Sequence, residues 1–161
     1  MQKRGAANFA APLLVSRNRN FVSRDRNTLC LYYDKKNIEE WFGEEVVGMA
    51  YPYGTYDDRV IAAARRLGIR YARTAGTSMS FSVPEDLMKY KGTCHFSNSE
   101  IFSLIEKFAA EKADGERKIL YIWGHTYEFD VMKKGDHIRR VFDALKGTGA
   151  QFVCNREAFR V

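Results

Sequence analysis

Cysteine is scarce in this sequence, and its spacing excludes two classes of small protein. The 161 residues include three cysteines, Cys30, Cys94 and Cys154. They are odd in number, far apart and not spaced as paired ligands, which argues against a disulfide framework and against a zinc knuckle. We therefore expect reduced, mostly buried thiols in a cytoplasmic protein.

Histidine is equally scarce. The three histidines are His95, His125 and His137, and no two of them are spaced i, i+3 or i, i+4. Because the chain also has no CxxC motif, the sequence shows no self-contained zinc site, and we assign no metal ligand. We expect His95 to be structural and His137 to lie on a solvated helix flank.

Long apolar runs are missing as well. No stretch approaches the roughly 20 residues that span a bilayer, so we expect no membrane segment. The apolar stretch 6–15 follows Lys3 and Arg4, as in a signal peptide, but Asn8 and Pro12 interrupt it and no clear cleavage site follows. The arginine-rich leader also resembles a transit peptide, which composition alone does not exclude. We expect a cytoplasmic location.

The positive charge is concentrated at the start of the chain. Of the net charge of +6, residues 1–28 carry +5, since six basic residues face the single acid Asp25, and the rest carries +1. A basic arm can bind phosphates or be a disordered terminus. No stacking or base-reading pattern accompanies it, so nucleic-acid binding is not favoured. We predict a basic, weakly ordered leader over 1–30 and a folded region over 31–161.

The rest of the chain has the pattern of an α/β protein. Its 45% hydrophobic and 29% charged residues are typical of a globular domain. Apolar runs alternate with amphipathic stretches, which favours a parallel sheet or part of an α/β barrel. Strands are predicted at 46–51, 69–74, 118–123 and 150–154, an extended piece at 93–96, and helices near 34–43, 57–68, 84–90, 101–108 and 136–147.

In such folds the chemistry lies beyond the carboxyl ends of the strands, which selects the loops 51–57, 73–78 and 124–130. In the first loop, Pro52 and Gly54 favour a tight turn before a helix, where free N–H groups can hold an anion or an oxyanion. The alternative is an ordinary turn with two packed tyrosines. Asp57 and Asp58 are expected to cap the helix rather than act as a catalytic pair.

The loop 124–130 carries the clearest candidate for acid–base chemistry. His125 lies two residues beyond a predicted strand, and Gly124 permits close approach of the backbone. Glu128 or Asp130 could orient the imidazole, although a histidine here could also satisfy a loop hydrogen bond. Arg73 is predicted to end a strand and to point toward the same end of the sheet, where it could pair with a carboxylate or a substrate oxygen, or form an ordinary salt bridge.

Two blocks at these positions resemble the polysaccharide deacetylases: GMAYPYGTYDDRVIAAARRLGIRYART at 48–74 and LYIWGHTYEFD at 120–130. The resemblance runs from about Asp34 to Val161, and the leader is unlike the family. It implies a partial, incomplete β/α barrel of the glycoside hydrolase/deacetylase type. It also implies hydrolysis of acetyl groups or related amides on carbohydrate, with zinc or cobalt held by one aspartate and two histidines.

The resemblance implies roles for the first block. Tyr53 matches the tyrosine whose backbone N–H supports the oxyanion, and Pro52 and Gly54 match its flanking turn. Ala50 stands where many members have an arginine that orients the base aspartate. This is a departure from the family, for which Arg73 is the expected substitute.

The second block supplies the expected acid. His125 matches the histidine that protonates the leaving amine, and Trp123 matches the apolar residue two before it. The aromatic side chains of Tyr51, Tyr53, Trp123 and Tyr127 can stack on sugar rings. The residues expected to bind the acetylated carbohydrate are Tyr51, Pro52, Gly54, Trp123 and Tyr127.

A larger departure lies upstream. The family's first motif is a strand that ends in two aspartates, and its second is a histidine pair at i, i+4. The resemblance places both before Asp34, where this sequence has the basic leader instead. We expect a truncated, frameshifted or late-started chain that is inactive alone. A partial barrel should also expose strand edges, which favours self-association.

Three hypotheses of function follow. The first is a deacetylase-like hydrolase of non-peptide carbon–nitrogen bonds in N-acetylated sugars. The second is a non-catalytic carbohydrate-binding remnant, or a subunit that needs a partner chain. The third, a nucleic-acid binder that uses the basic arm, has the least support.

Overall fold

The computed structural model describes residues 24–111, 117–131, 133 and 135–161. The chain divides into two compact units. Of the described residues, the first unit contains 24–75, 86–90 and 153–161, and the second contains those within 76–85 and 91–152. Most of the predicted leader, up to residue 23, lies outside the described residues.

The described residues form an α/β structure with small sheets. Strands β1, β2 and β3 form one sheet in that order, and β4 and β5 form another. The strands are β1 Gly48–Ala50, β2 Tyr71–Thr77, β3 Tyr90–Gly92, β4 Cys94–His95 and β5 Ile122–Trp123. The helices are α1 Arg24–Phe42, α2 Asp58–Arg66, α3 Ile101–Ala110, α4 Tyr127–Val131, α5 Gly135–Lys146 and α6 Asn155–Phe159, with 3-10 turns at Pro52–Gly54 and Leu87–Lys89.

Helix α1 is longer than the sequence predicts, since it starts at Arg24 rather than near Asp34. The prediction relied on apolar periodicity, which is weak in this polar helix. Its support comes instead from i, i+4 ion pairs, Lys35 with Glu39 and Lys36 with Glu40. Glu39 also accepts a hydrogen bond from the backbone N–H of Val46 at 2.9 Å, which ties the helix to the chain leading into β1.

In the core of the first unit, strands β1 and β2 and helix α2 pack closely because small residues lie between them. Strands β1 and β2 are parallel, with Gly48 opposite Tyr71 and Met49 opposite Ala72. A Cβ at Gly48 would lie 1.8 Å from the Tyr71 ring, so glycine is required there. Helix α2 packs small side chains into the same core, whose buried members are Tyr51, Ile61, Ala64, Ile69, Ala72 and Met88.

The termini of α2 follow the sequence signals. Asp57 is the N-cap, and its Oδ1 accepts a hydrogen bond from the backbone N–H of Val60 at 2.9 Å. Asp58 lies in the first turn, and Gly68 follows the helix with φ of +84°. The prediction that these two aspartates serve the helix terminus is confirmed.

The second unit has a core of larger side chains. Helices α3 and α5 and strand β4 bury Phe81, Cys94, Ile101, Leu104, Ile105 and Val141. Strands β4 and β5 are parallel, with Cys94 opposite Ile122 and His95 opposite Trp123. The buried Thr93 hydroxyl lies 3.0 Å from the Ser80 carbonyl oxygen and 3.3 Å from that of Ile119, and it accepts a hydrogen bond from Tyr121 N–H.

Two predicted strands are wrong in extent or in kind. Only Ile122 and Trp123 of the predicted strand 118–123 are in a strand. The preceding residues form separate backbone hydrogen bonds instead of a strand ladder, including one from Ile119 N–H to the Phe81 carbonyl at 2.8 Å. Residues 150–154 form no strand, and Phe152 and Val153 are exposed, so an apolar run was mistaken for a buried element.

The cysteines are free, but they are not mostly buried as predicted. Cys94 is buried, Cys154 is partly buried and Cys30 is exposed. Burial raises the pKa of the Cys94 thiol to about 11. Among the described residues, no helix combines the length and apolarity needed to cross a membrane.

Candidate functional site

The loop after β1 forms a tight turn that is fixed by its backbone. Gly54 N–H donates to the Tyr51 carbonyl at 2.9 Å, and Thr55 N–H donates to that of Pro52 at 3.2 Å. Tyr53 has a positive φ of 56°, which is uncommon for a residue with a side chain, and its side chain is 94% exposed. The loop therefore presents Tyr53 to solvent on a constrained backbone.

Gly54 is the residue that permits this turn. Its φ is +71°, and an added Cβ would lie 2.4 Å from the backbone nitrogen of Ala75. Tyr51, in contrast, is buried, and its hydroxyl donates to the Met88 carbonyl at 3.0 Å. Burial, with a smaller contribution from Asp86, raises the pKa of Tyr51 to about 12, so this hydroxyl serves as a structural donor.

Arg73 does not end a strand as predicted. Strand β2 continues to Thr77, so Arg73 lies inside the strand, opposite Ala50 of β1. Its guanidinium donates to the Thr74 carbonyl at 2.9 Å. The sequence located the strand correctly but ended it too early, because Gly76 and the polar residues after Arg73 read as a loop.

His125 lies just beyond β5, as predicted, and Glu128 holds it. Oε2 of Glu128 accepts a hydrogen bond from His125 N–H at 2.8 Å and lies 3.2 Å from the ring nitrogen Nδ1. The His125 side chain is 50% exposed, whereas that of Glu128 is 17% exposed. Of the two acids proposed to orient His125, the structure selects Glu128.

His95 completes a group of three side chains. Its Nε2 lies 3.0 Å from the same Oε2 of Glu128, and one ligand atom from each of His95, His125 and Glu128 lies within 4.8 Å of the others. His95 ends β4 and His125 follows β5, and these strands are adjacent and parallel. The carboxyl ends of the two strands therefore bring together residues that are far apart in sequence.

The carboxylate of Glu128 is held in its charged form. Partial burial opposes ionisation, but hydrogen bonds from the His125 backbone and from the rings of His125 and His95 together lower the pKa of Glu128 below its ordinary value. Near neutral pH the group therefore presents a carboxylate between two histidine rings.

Further contacts surround the group. Nδ1 of His95 lies 2.7 Å from the Ser97 hydroxyl. The Trp123 ring meets the His95 ring edge to face, with centroids 4.6 Å apart. The Tyr127 ring is exposed and lies 5.3 Å from the His125 ring between centroids, so a flat aromatic surface adjoins the group.

The residues named from the sequence lie in both units. Tyr51, Pro52, Tyr53, Gly54 and Arg73 are in the first, and Trp123, His125 and Tyr127 are in the second. None of the three was predicted as a ligand: His125 was predicted as an acid–base residue, Glu128 as one of two acids that could orient it, and His95 as structural. The signal was present in the position of His95 at the end of a predicted extended piece. His137 is not a solvated flank residue, since its Nε2 donates to the Phe96 carbonyl at 2.9 Å.

The donor types of this group fit a divalent metal ion. Two imidazoles and one carboxylate are a ligand set typical of zinc. The residues found are not the aspartate and two histidines that the family resemblance implies. Among the described residues, this is the group of ligand side chains close enough together to hold a cation.

Comparison with known proteins confirms the family resemblance. The family model described as polysaccharide deacetylase matches residues 17–72, which include α1, β1, the Tyr53 turn, α2 and the first two residues of β2. The match starts inside the basic leader, so the view that the leader is unlike the family throughout is wrong. The match ends before His125, whose assignment stays a prediction. No curated protein and no solved structure matches the chain.

Proposed function

We propose that this protein is a deacetylase-like hydrolase that acts on carbon–nitrogen bonds of N-acetylated sugars. The observation that carries the proposal is the polysaccharide deacetylase match over residues 17–72, which includes the constrained Tyr53 turn. The acetylated carbohydrate partner, the wider barrel to which these elements contribute, self-association through its edge and a cytoplasmic location are parts of the same proposal.

The proposed roles follow the family resemblance, residue by residue. The backbone at Tyr53, fixed by Pro52 and Gly54, supports the oxyanion that develops on the acetyl carbonyl. His125 donates a proton to the leaving amine, and Glu128 holds the imidazole for that transfer. Arg73 supplies positive charge in place of the family arginine that is absent at Ala50.

A divalent metal, zinc or cobalt, supplies the activated water and polarises the carbonyl in such reactions. This sequence contains no strand-end aspartate pair before Asp34 and no i, i+4 histidine pair. We therefore propose that residues outside this chain complete the hydrolytic centre, and that the chain has negligible activity by itself.

Carbohydrate binding without catalysis is the second candidate. Two exposed aromatic residues favour it: Tyr53 is 94% exposed and Tyr127 is 62% exposed. Flat rings at the surface can stack on sugar rings, and both residues adjoin the turns just described.

The experiment combines binding and turnover on the same protein. Tryptophan fluorescence would be titrated with N-acetylated chito-oligosaccharides, and acetate release would be measured with added zinc or cobalt. Trp123 lies next to the proposed site, whereas Trp41 is exposed on α1. Trp41→Phe therefore gives a background in which the signal reports on Trp123.

The outcomes separate the candidates. Binding without acetate release, weakened by Tyr127→Ala, supports a carbohydrate site that is incomplete for catalysis. Acetate release that His125→Ala abolishes supports the hydrolase and overturns the proposed inactivity of the isolated chain. The absence of both binding and release across chito-oligosaccharides overturns the carbohydrate assignment.

A further inference from the structure

His95, His125 and Glu128 form a compact ligand set at the carboxyl ends of β4 and β5. The Oε2 atom of Glu128 lies 3.0 Å from His95 Nε2 and 3.2 Å from His125 Nδ1. Ligand bonds of about 2.0–2.1 Å in a tetrahedral site place neighbouring ligand atoms about 3.3 Å apart. Two of the three distances between the ligand atoms are therefore already close to those of a tetrahedral site.

We propose that these three side chains bind a divalent transition-metal cation, zinc or cobalt, through His95 Nε2, His125 Nδ1 and a Glu128 carboxylate oxygen. The site differs from the aspartate and two histidines implied by the family resemblance. The proposal concerns cation binding and is independent of whether the protein hydrolyses an acetylated sugar.

The surroundings of His95 suit a metal ligand. A histidine that binds metal through one ring nitrogen usually donates from the other to a fixed acceptor. The Ser97 hydroxyl lies 2.7 Å from His95 Nδ1, on the opposite side of the ring from Glu128. In the cation-free protein the Ser97 backbone N–H donates to Nδ1 at 3.3 Å, so the ring proton lies on Nε2, toward Glu128. Cation binding at Nε2 requires this proton to move to Nδ1, from which His95 then donates to the Ser97 hydroxyl.

The burial of the three ligands is graded. The side chains of Glu128 and His95 are 17% and 20% exposed, so little water competes with a cation for their ligand atoms. The side chain of His125 is 50% exposed. A site that is closed on one side and open on the other admits the ion and leaves a position for water or another ligand.

Cation binding and proton donation make opposing demands on His125. An imidazole bound to metal through Nδ1 is no longer available as an imidazolium acid. The two roles therefore exclude one another on the same molecule, and an excess of cation should suppress any acetate release that needs protonated His125. Measurements without sugar substrate keep the two proposals separate.

The test is a cation titration of the full chain, followed by two signals. Cobalt absorption in the visible range reports on coordination, and histidine side-chain NMR during zinc addition identifies the ligands. The background is Cys30→Ser with Cys154→Ser, because exposed and partly buried thiols can bind zinc by themselves. We expect one cation per chain, with shifts of the His95 and His125 ring resonances and none at His137.

Variants give the expected size of the effect. Removing a direct ligand in His95→Ala or Glu128→Gln should weaken binding by more than about 100-fold, and Ser97→Ala by about 10- to 100-fold. His137→Gln is the matched control, since this histidine donates to a backbone carbonyl outside the group, and its affinity should stay within about twofold of the parent. Circular dichroism confirms that each variant is folded.

Two results would overturn the site. One is binding that survives in Glu128→Gln, which changes one atom and retains the shape of the side chain. The other is a titration to millimolar zinc in which the His95 and His125 resonances do not move although the protein is folded. If zinc binds the parent chain but no longer binds after both cysteines are replaced, the proposed site is overturned in the same way.

Discussion

In each unit a loop follows a parallel strand, but different interactions fix the conformation of that loop. In the first unit, the turn after β1 is set by the backbone, with positive φ at Tyr53 and Gly54. In the second, the loop after β5 is set by side chains, since one Glu128 oxygen contacts His95, the His125 ring and the His125 backbone. The same position in an α/β fold is thus fixed by backbone conformation in one case and by side-chain contacts in the other.

The cores below these loops differ in the same sense. Ala64 and Ala72 have no exposed surface, and they allow helix and sheet of the first unit to approach closely. The second unit fills its interior with Ile101, Leu104 and Ile105. The first core should therefore be most sensitive to added atoms, and the second to atoms removed.

The largest effect is expected for Leu104→Ala in the second unit. Leu104 is buried, and its truncation removes apolar contacts and leaves a cavity, which should lower the free energy of unfolding by about 2–5 kcal/mol. Ser103→Ala, at the exposed neighbouring position of α3, should change it by less than about 0.5 kcal/mol. Urea denaturation measures both. Equal effects of the two substitutions would contradict the assigned core.

The converse test in the first unit is Ala64→Leu. Overpacking a site without free space should cost about 1–3 kcal/mol. Ala62→Leu, on the exposed face of the same helix, is the matched control and should be nearly neutral. Thermal and urea unfolding of the two variants would show the difference. A stabilised Ala64→Leu variant would mean that the core has room for the larger side chain.

Gly54→Ala tests the turn itself. Both Gly54 and Gly68 have positive φ, but only the Cβ at Gly54 would meet a close atom, the Ala75 backbone nitrogen at 2.4 Å. Each substitution carries a strain of about 1–2 kcal/mol for the left-handed conformation. Gly54→Ala should lower the free energy of unfolding by about 1 kcal/mol more than Gly68→Ala. Identical losses would show that the turn yields without cost.

The smallest effect is a dependence on pH at the start of α2. Hydrogen bonds from Val60 N–H and from Arg59 lower the pKa of Asp57 below its ordinary value of 3.8. Its charged form therefore stabilises the folded state fully above that value, and the contribution is lost as the pH falls through the lower folded pKa.

Asp57→Asn provides the reference, because asparagine also caps a helix but does not titrate. The difference in stability between the parent and this variant should be constant above about pH 5 and should change below about pH 4. Urea denaturation across this range measures it. Parallel curves at all pH values would contradict a lowered pKa of Asp57.

The sequence predicts the parts of this fold that rest on local signals. The capping aspartate Asp57, the glycine after α2 and the apolar stripes of α2, α3 and α5 all indicate elements that the structure contains. It fails where the signal is not local. Helix α1 is stabilised by ion pairs rather than by apolar periodicity, and residues 150–154 are apolar without being buried.

The candidate site follows the same division. His125 was predicted because it lies directly after an apolar run, and its partner Glu128 is only three residues away. His95 was not predicted as a ligand, because its proximity depends on the pairing of β4 with β5, which brings together residues about 30 positions apart. Spacing rules for metal sites detect ligands on one helix or hairpin, and they do not detect ligands on two parallel strands.

The hydroxyl of Thr93 has a consequence for that pairing. It is fully buried, and its polar neighbours are the carbonyls of Ser80 and Ile119 and the N–H of Tyr121. Moving β5 by one residue would remove the N–H partner from this hydroxyl and would turn alternate side chains to the opposite face of the sheet. Thr93 thus fixes the alignment of His95 with the loop that carries His125.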